Sequence, residues 1–139
     1  MSPTPHEQAE AELTAYGLSL PEAHIASGWA FTRNLRVRTR VFAIFGDKAQ
    51  PRDELTIFIK LPISRDMVQD LPYVRESRGW YKQNGWTIAH FIGGDDVLAE
   101  LETLKGWLRQ SYVAQAPRYL ARSLDEVGSI LTRTANGLD

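Results

Sequence analysis

The chain has 139 residues, 43% of them hydrophobic and 24% charged, with a formal net charge of −1 and no cysteine. That length suits one hydrophobic core, and the composition is globular rather than disordered. Missing cysteine excludes disulfides and thiolate chemistry, no apolar run nears the roughly 20 residues of a membrane helix, and residues 1–7 lack a secretory pattern, so a cytoplasmic protein without membrane contact is expected.

The first element announces itself at Thr4-Pro5-His6-Glu7. Thr4 can cap free amides, Pro5 suits the first helical position and Glu7 completes a capping box. Ala9, Leu13 and Tyr16 follow at helical spacing, with Gly17 as the stop and Pro21 closing any continuation. Residues 23–62 have the pattern of a strand meander: a short candidate at Trp29–Thr32, a long one at Leu35–Phe45, a turn at Gly46-Asp47-Lys48, and Glu54–Leu61. Short connections imply antiparallel pairing, because parallel pairs need long crossovers.

Ser64–Leu71 predicts a short helix ended by Pro72. Gly79–Gln83 and Trp86–Ile92 flank Asn84-Gly85, a signal for a two-residue hairpin turn. After Gly93-Gly94-Asp95 comes the longest helix, with Val97, Leu98, Leu101, Leu104, Leu108 and Tyr112 on one stripe until Pro117. Ser123–Glu126 offers a second capping box. The expected fold is α+β: a two-layer sandwich of antiparallel sheet backed by helices, in the order α, three or four strands, α, one or two strands, α. Residues 1–122 form the single domain, and 123–139 a helical or frayed tail.

No constellation nominates a catalytic residue. His6, His24 and His90 lack metal-site spacing, and no serine sits in a nucleophile elbow. His90 has the place of a packed strand histidine, and His24 that of a surface loop residue. Gly93-Gly94 before a helix would attract phosphate, but Asp95 and Asp96 occupy the same mouth. Glu7, Glu10 and Glu12 on the first helix have the pattern of a solvated face rather than a cation site. Neither a metal set nor a cofactor motif is found.

Charge is unevenly distributed. Residues 31–82 hold 11 Lys/Arg against 6 Asp/Glu, a net of +5, and the remainder carries −6. Within that stretch Arg36, Arg38 and Arg40 alternate with Val37, Thr39 and Val41, which on one strand would place three guanidiniums on one face. Arg33, Lys60, Arg78 and Lys82 could widen that patch, and Trp80 and Tyr81 add aromatic surface suited to base stacking. The competing reading has the arginine stems covering apolar sheet while their heads pair with acidic helices.

Five segments in order, Leu18–Ala23, Phe31–Ala43, Leu55–Lys60, Asn84-Gly85-Trp86 and Leu108–Tyr112, give the chain a resemblance to the MmcQ/YjbR family of small bacterial proteins over about residues 8–120. The resemblance implies a two-layer fold related to the frataxin-like (CyaY-like) and secretion-chaperone-like folds, and a DNA-binding role in which paired projecting hairpins act as wings. It carries that role onto Arg36, Arg38, Arg40, Lys60 and Lys82. Asn34–Arg40 departs from the family by replacing its usual glycine-lysine turn before Val41-Phe42-Ala43. The expected function is a non-enzymatic module binding DNA or another nucleic acid through Arg36, Arg38, Arg40, Lys60, Trp80 and Lys82. The alternative is a protein-interaction adaptor, chaperone-like, using the sheet surface or edge.

Overall fold

The computed structural model describes residues 2–27, 32–46 and 51–124. Helix α1, Pro5–Leu18, begins with the box its sequence predicts: Thr4 accepts the N–H of Glu7, and the Glu7 carboxylate accepts that of Thr4. Arg52 grips the same carboxylate at 2.9 and 3.1 Å, tying the helix start to the loop before Leu55. Ala9, Leu13 and Gly17 form its buried stripe, and at Gly17 the helix approaches so closely that an added Cβ would overlap the Leu35 side chain.

Six strands make one antiparallel sheet: β1 Ala23–Ser27, β2 Arg33–Val37, β3 Arg40–Phe45, β4 Leu55–Lys60, β5 Val74–Arg75 and β6 Trp86–Phe91. Their spatial order is β1-β2-β3-β4-β6-β5. Helix α2 spans Gly79–Gln83 and α3 spans Leu101–Gln115, with 3-10 turns at Arg65–Val68 and Val97–Glu100. The class is α+β. Among the described residues no helix is long and apolar enough to cross a membrane.

Strand β4 shows why one sheet face is dry. Leu55, Ile57 and Ile59 are buried, while Thr56, Phe58 and Lys60 between them point the other way. Register carries the buried row across the sheet to Ala43, Phe45 and Leu35 on one side and to Ala89 and Phe91 on the other. Helices α1 and α3 pack on this face, through Gly17 against Leu35 and Tyr112 edge-on to Phe42 at 5.5 Å.

A bulge interrupts the ladder between β2 and β3. Leu35 pairs with Ala43 and Arg36 with Val41, so Phe42 is the extra residue and its ring turns towards Tyr112. Helix α3 supplies partners there. Ser111, fully buried, accepts the Lys60 N–H at 3.1 Å and donates to the Phe42 carbonyl, and Gln115 Nε2 donates to the Val41 carbonyl at 2.9 Å.

Several expectations are corrected. Leu35–Phe45 is not one strand: the chain reverses at Arg38-Thr39, with Arg38 at φ 56. That position usually asks for glycine, so the turn carries no glycine or asparagine to mark it. Gly79–Gln83 is a helix rather than a hairpin strand. Asn84 closes it, its backbone N–H and Nδ2 both donating to the Trp80 carbonyl, and Gly85 takes φ 79 as a helix-terminating glycine. Helix α2 also leaves the expected layer, because it packs on the opposite sheet face. The Ser64–Leu71 helix is only the 3-10 turn Arg65–Val68, and the long helix begins at Leu101 behind a 3-10 turn capped by Asp96. His24 lies in β1 rather than a loop. Residues 29–31 of the strand expected at Trp29–Thr32, residues 47 and 48 of the Gly46–Lys48 turn, and 125–139 of the tail lie outside the described residues; Thr32 is in no strand.

Replacing Ser111 with alanine leaves a buried N–H and a buried carbonyl without partners, so Ser111→Ala is expected to cost about 1–3 kcal/mol in urea unfolding; a loss under about 0.5 kcal/mol would contradict the bridging role. Acid sensitivity gives a second check. Arg52 and the Thr4 N–H hold the Glu7 carboxyl down at about 2, against an ordinary 4.5. A lowered folded value stabilises above the unfolded one, so this contribution is intact above about pH 4.5 and fades as pH falls towards 2. Glu7→Gln should flatten the acid limb of the stability profile over that window and leave neutral-pH slope unchanged.

Candidate nucleic-acid interface

The three arginines of the sequence pattern do not form a comb. Arg36 sits on β2 opposite Val41 and His24, whereas Arg40 begins β3 opposite Val37. Directly paired residues share a face and neighbours alternate, so Arg36 and Arg40 project from opposite sides of the sheet. Arg38 lies in the turn between them and donates to Glu22 at 3.1 and 3.3 Å and to the Tyr119 hydroxyl, whose ring centre lies 5.5 Å from the guanidinium. The Glu22 carboxylate raises the Arg38 pKa above its ordinary value. A single phosphate run cannot engage all three.

The other half of the expected set is brought together. Lys60 ends β4 directly opposite Trp86 of β6. Trp86 is buried because α2 lies over it: Tyr81 stands 6.0 Å from its ring and 5.3 Å from Phe58, and Trp80 stands 6.2 Å from it. Trp80 itself remains 60% exposed. Lys82 follows on the same helix. Thus Trp80 and Lys82 on α2, and Lys60 paired in register with Trp86, come together on the face away from α1 and α3.

Two further cations join them. Arg65, from the 3-10 turn, donates to the Lys82 carbonyl at 3.0 Å, and Arg78 precedes the first residue of α2. Glu76 is the carboxylate among them; it pairs with Lys82 at 3.0 Å, and Lys82, then Arg78 and Arg65, lower its pKa. Both members of that pair are more than half exposed, so water and salt screen it and an incoming anion can displace it. The Lys60 ammonium has no acidic partner among the described residues, and Arg36 on the same sheet face has a buried Nε without a partner. Phe58, Trp86 and Arg65 were not among the expected site residues. Only the fold joins them, since Phe58 and Arg65 precede α2 by a strand and Trp86 follows its cap.

The remaining candidates resolve into structural roles. Glu7 and Glu10 bind Arg52 and Arg33. Asp95 accepts the Ile92 N–H and Asp96 that of Ala99, while the Asp53 carboxylate crowds Gly93, so that mouth is acidic and capped. His90 contacts Glu54 at 2.9 Å and His6 contacts the Ile92 carbonyl at 3.1 Å. A cavity of about 390 Å³ lies elsewhere, between Pro62-Ile63 and the α3 residues Gly106, Arg109, Gln110, Val113 and Ala114. It contains neither Arg36, Arg38 nor His90.

No family model matches the chain, and no curated protein matches it.

The local field around α2 can be measured without a ligand. In Lys82→Met the Glu76 carboxyl should titrate closer to its ordinary value by carbon-detected NMR, while Arg38→Met should leave it unmoved. Equal behaviour of the two variants would mean that Glu76 does not sense the α2 cations.

Proposed function

We propose that the protein is a non-enzymatic nucleic-acid-binding module whose contact surface is the α2 platform, with single-stranded segments as the preferred form. The observation that carries this is Trp80: an indole 60% exposed, seated on Trp86 and Tyr81, and bordered by Lys60, Arg65, Arg78 and Lys82. An exposed aromatic plane stacks with any base, and flanking cations hold the backbone without reading sequence. The resemblance to the MmcQ/YjbR family supports the same class of ligand. Wing-like use of the β2–β3 hairpin is not part of the proposal, because Arg38 at its tip is committed to Glu22.

Fluorescence titration with a short unstructured oligonucleotide tests the reading. If about three cations neutralise phosphates, log affinity should fall with log salt at a slope of about −2 for single strands. Trp80→Ala should weaken binding by about 1–3 kcal/mol, and Lys60→Glu/Lys82→Glu should flatten the salt slope, whereas Arg38→Ala should change neither. Undetectable binding, or a Trp80→Ala variant that binds like the parent, would remove the proposal.

A further inference from the structure

The sheet has two edges, and they are unlike. At one end β5 is two residues long and presents Arg75, three positions after Pro72. Such brevity and charge are how sheets block further pairing. At the other end β1 pairs with β2 along all five of its residues and with no strand on its outer side among the described residues. Its sequence, Ala-His-Ile-Ala-Ser, holds neither a Lys, Arg, Asp or Glu nor a proline. His24, Ile25 and Ser27 are exposed, with Ile25 at 46%. Among the described residues this edge has none of the usual guards.

We propose that β1 pairs antiparallel with β1 of a second copy about a twofold axis at Ile25, joining two six-stranded sheets into one. The strand is compatible with its own reverse. Ala23 falls opposite Ser27, His24 opposite Ala26, and Ile25 opposite Ile25, so no like charges face each other and each histidine meets a small residue. The two isoleucines cover one another on the axis, removing apolar surface that a monomer leaves wet. Twofold self-pairing needs only the pattern the strand already has. Leu18 and Tyr119, 41% and 54% exposed, extend the apolar surface beyond the strand; Tyr119 touches Glu22, the residue just before β1. A five-residue seam is small, so the dimer is a weak one that forms with rising concentration.

The missing cysteines make the test clean, since any introduced thiol has only its own copy to pair with. Residues directly opposite across such a seam have Cβ atoms about 4.5–5.5 Å apart, close enough for a disulfide with slight adjustment. Position 27 would lie about 13 Å from position 27 of the second copy. Mild oxidation should therefore convert Ile25→Cys to a covalent dimer and leave Ser27→Cys monomeric. Sedimentation of the parent should show a dimer growing with concentration, and Ile25→Lys should abolish it with the circular dichroism spectrum unchanged. Cross-linking of Ile25→Cys no faster than Ser27→Cys, or a parent that stays monomeric at millimolar concentration, overturns the proposal.

Discussion

The seating of α2 on the sheet is the contact from which the functional reading grows. Five residues cannot hold a helix in water, because nucleation costs more than so few hydrogen bonds return. What holds α2 is tertiary: Tyr81 lies between Phe58 and Trp86, and Asn84 with Gly85 closes the turn above the end of β4, where the Leu61 N–H meets the Gly85 carbonyl at 2.9 Å. Ser77 secures the approach by donating to the Trp86 carbonyl at 2.7 Å. Once α2 is docked, Trp86 is dry and Trp80 is left outside with one face open. The platform and its cations share the same few contacts.

The uneven charge of the sequence has two fates in the fold. On the β1–β3 side and in the loop before β4, the basic residues meet acids of α1 and the segment after it: Arg33 with Glu10, Arg52 with Glu7, Arg38 with Glu22. There three positive charges of the 31–82 stretch are offset by carboxylates of residues 7–22. Around α2 the cancellation is incomplete, since Glu76 faces Lys82, Arg78 and Arg65. A neutral molecule can therefore keep a local positive field, and field rather than total charge steers an anion to a surface.

Much of the fold is legible in the chain itself, wherever local chemistry and burial agree. The Thr4–Glu7 box, the alternation of Leu55, Ile57 and Ile59, and the Leu104–Leu108–Tyr112 stripe each state one structure only. Asn84-Gly85 shows the limit. The left-handed backbone it favours ends a helix as readily as it turns a hairpin, and the choice was made by Tyr81 finding Phe58, a contact across 23 residues. The turn at Arg38-Thr39 was hidden for the opposite reason: an arginine at positive φ carries no turn signature, and its support from Glu22 and Tyr119 is wholly tertiary. The same error dispersed half of the expected site, because period-two spacing places arginines on one face only if the strand runs unbroken. Lys60, Trp80 and Lys82 came together despite it, through the β4–β6 register and the docking of α2.

In the proposed complex, bases stack on Trp80 rather than lying along the β2–β3 hairpin. Chemical-shift mapping of the isotopically labelled protein against a short single-stranded oligonucleotide addresses it most directly. The Trp80 indole N–H and the amides of residues 78–85 should move together and saturate, with residues 36–40 left in place. Shifts centred on residues 36–40, with the Trp80 indole unmoved, would contradict it.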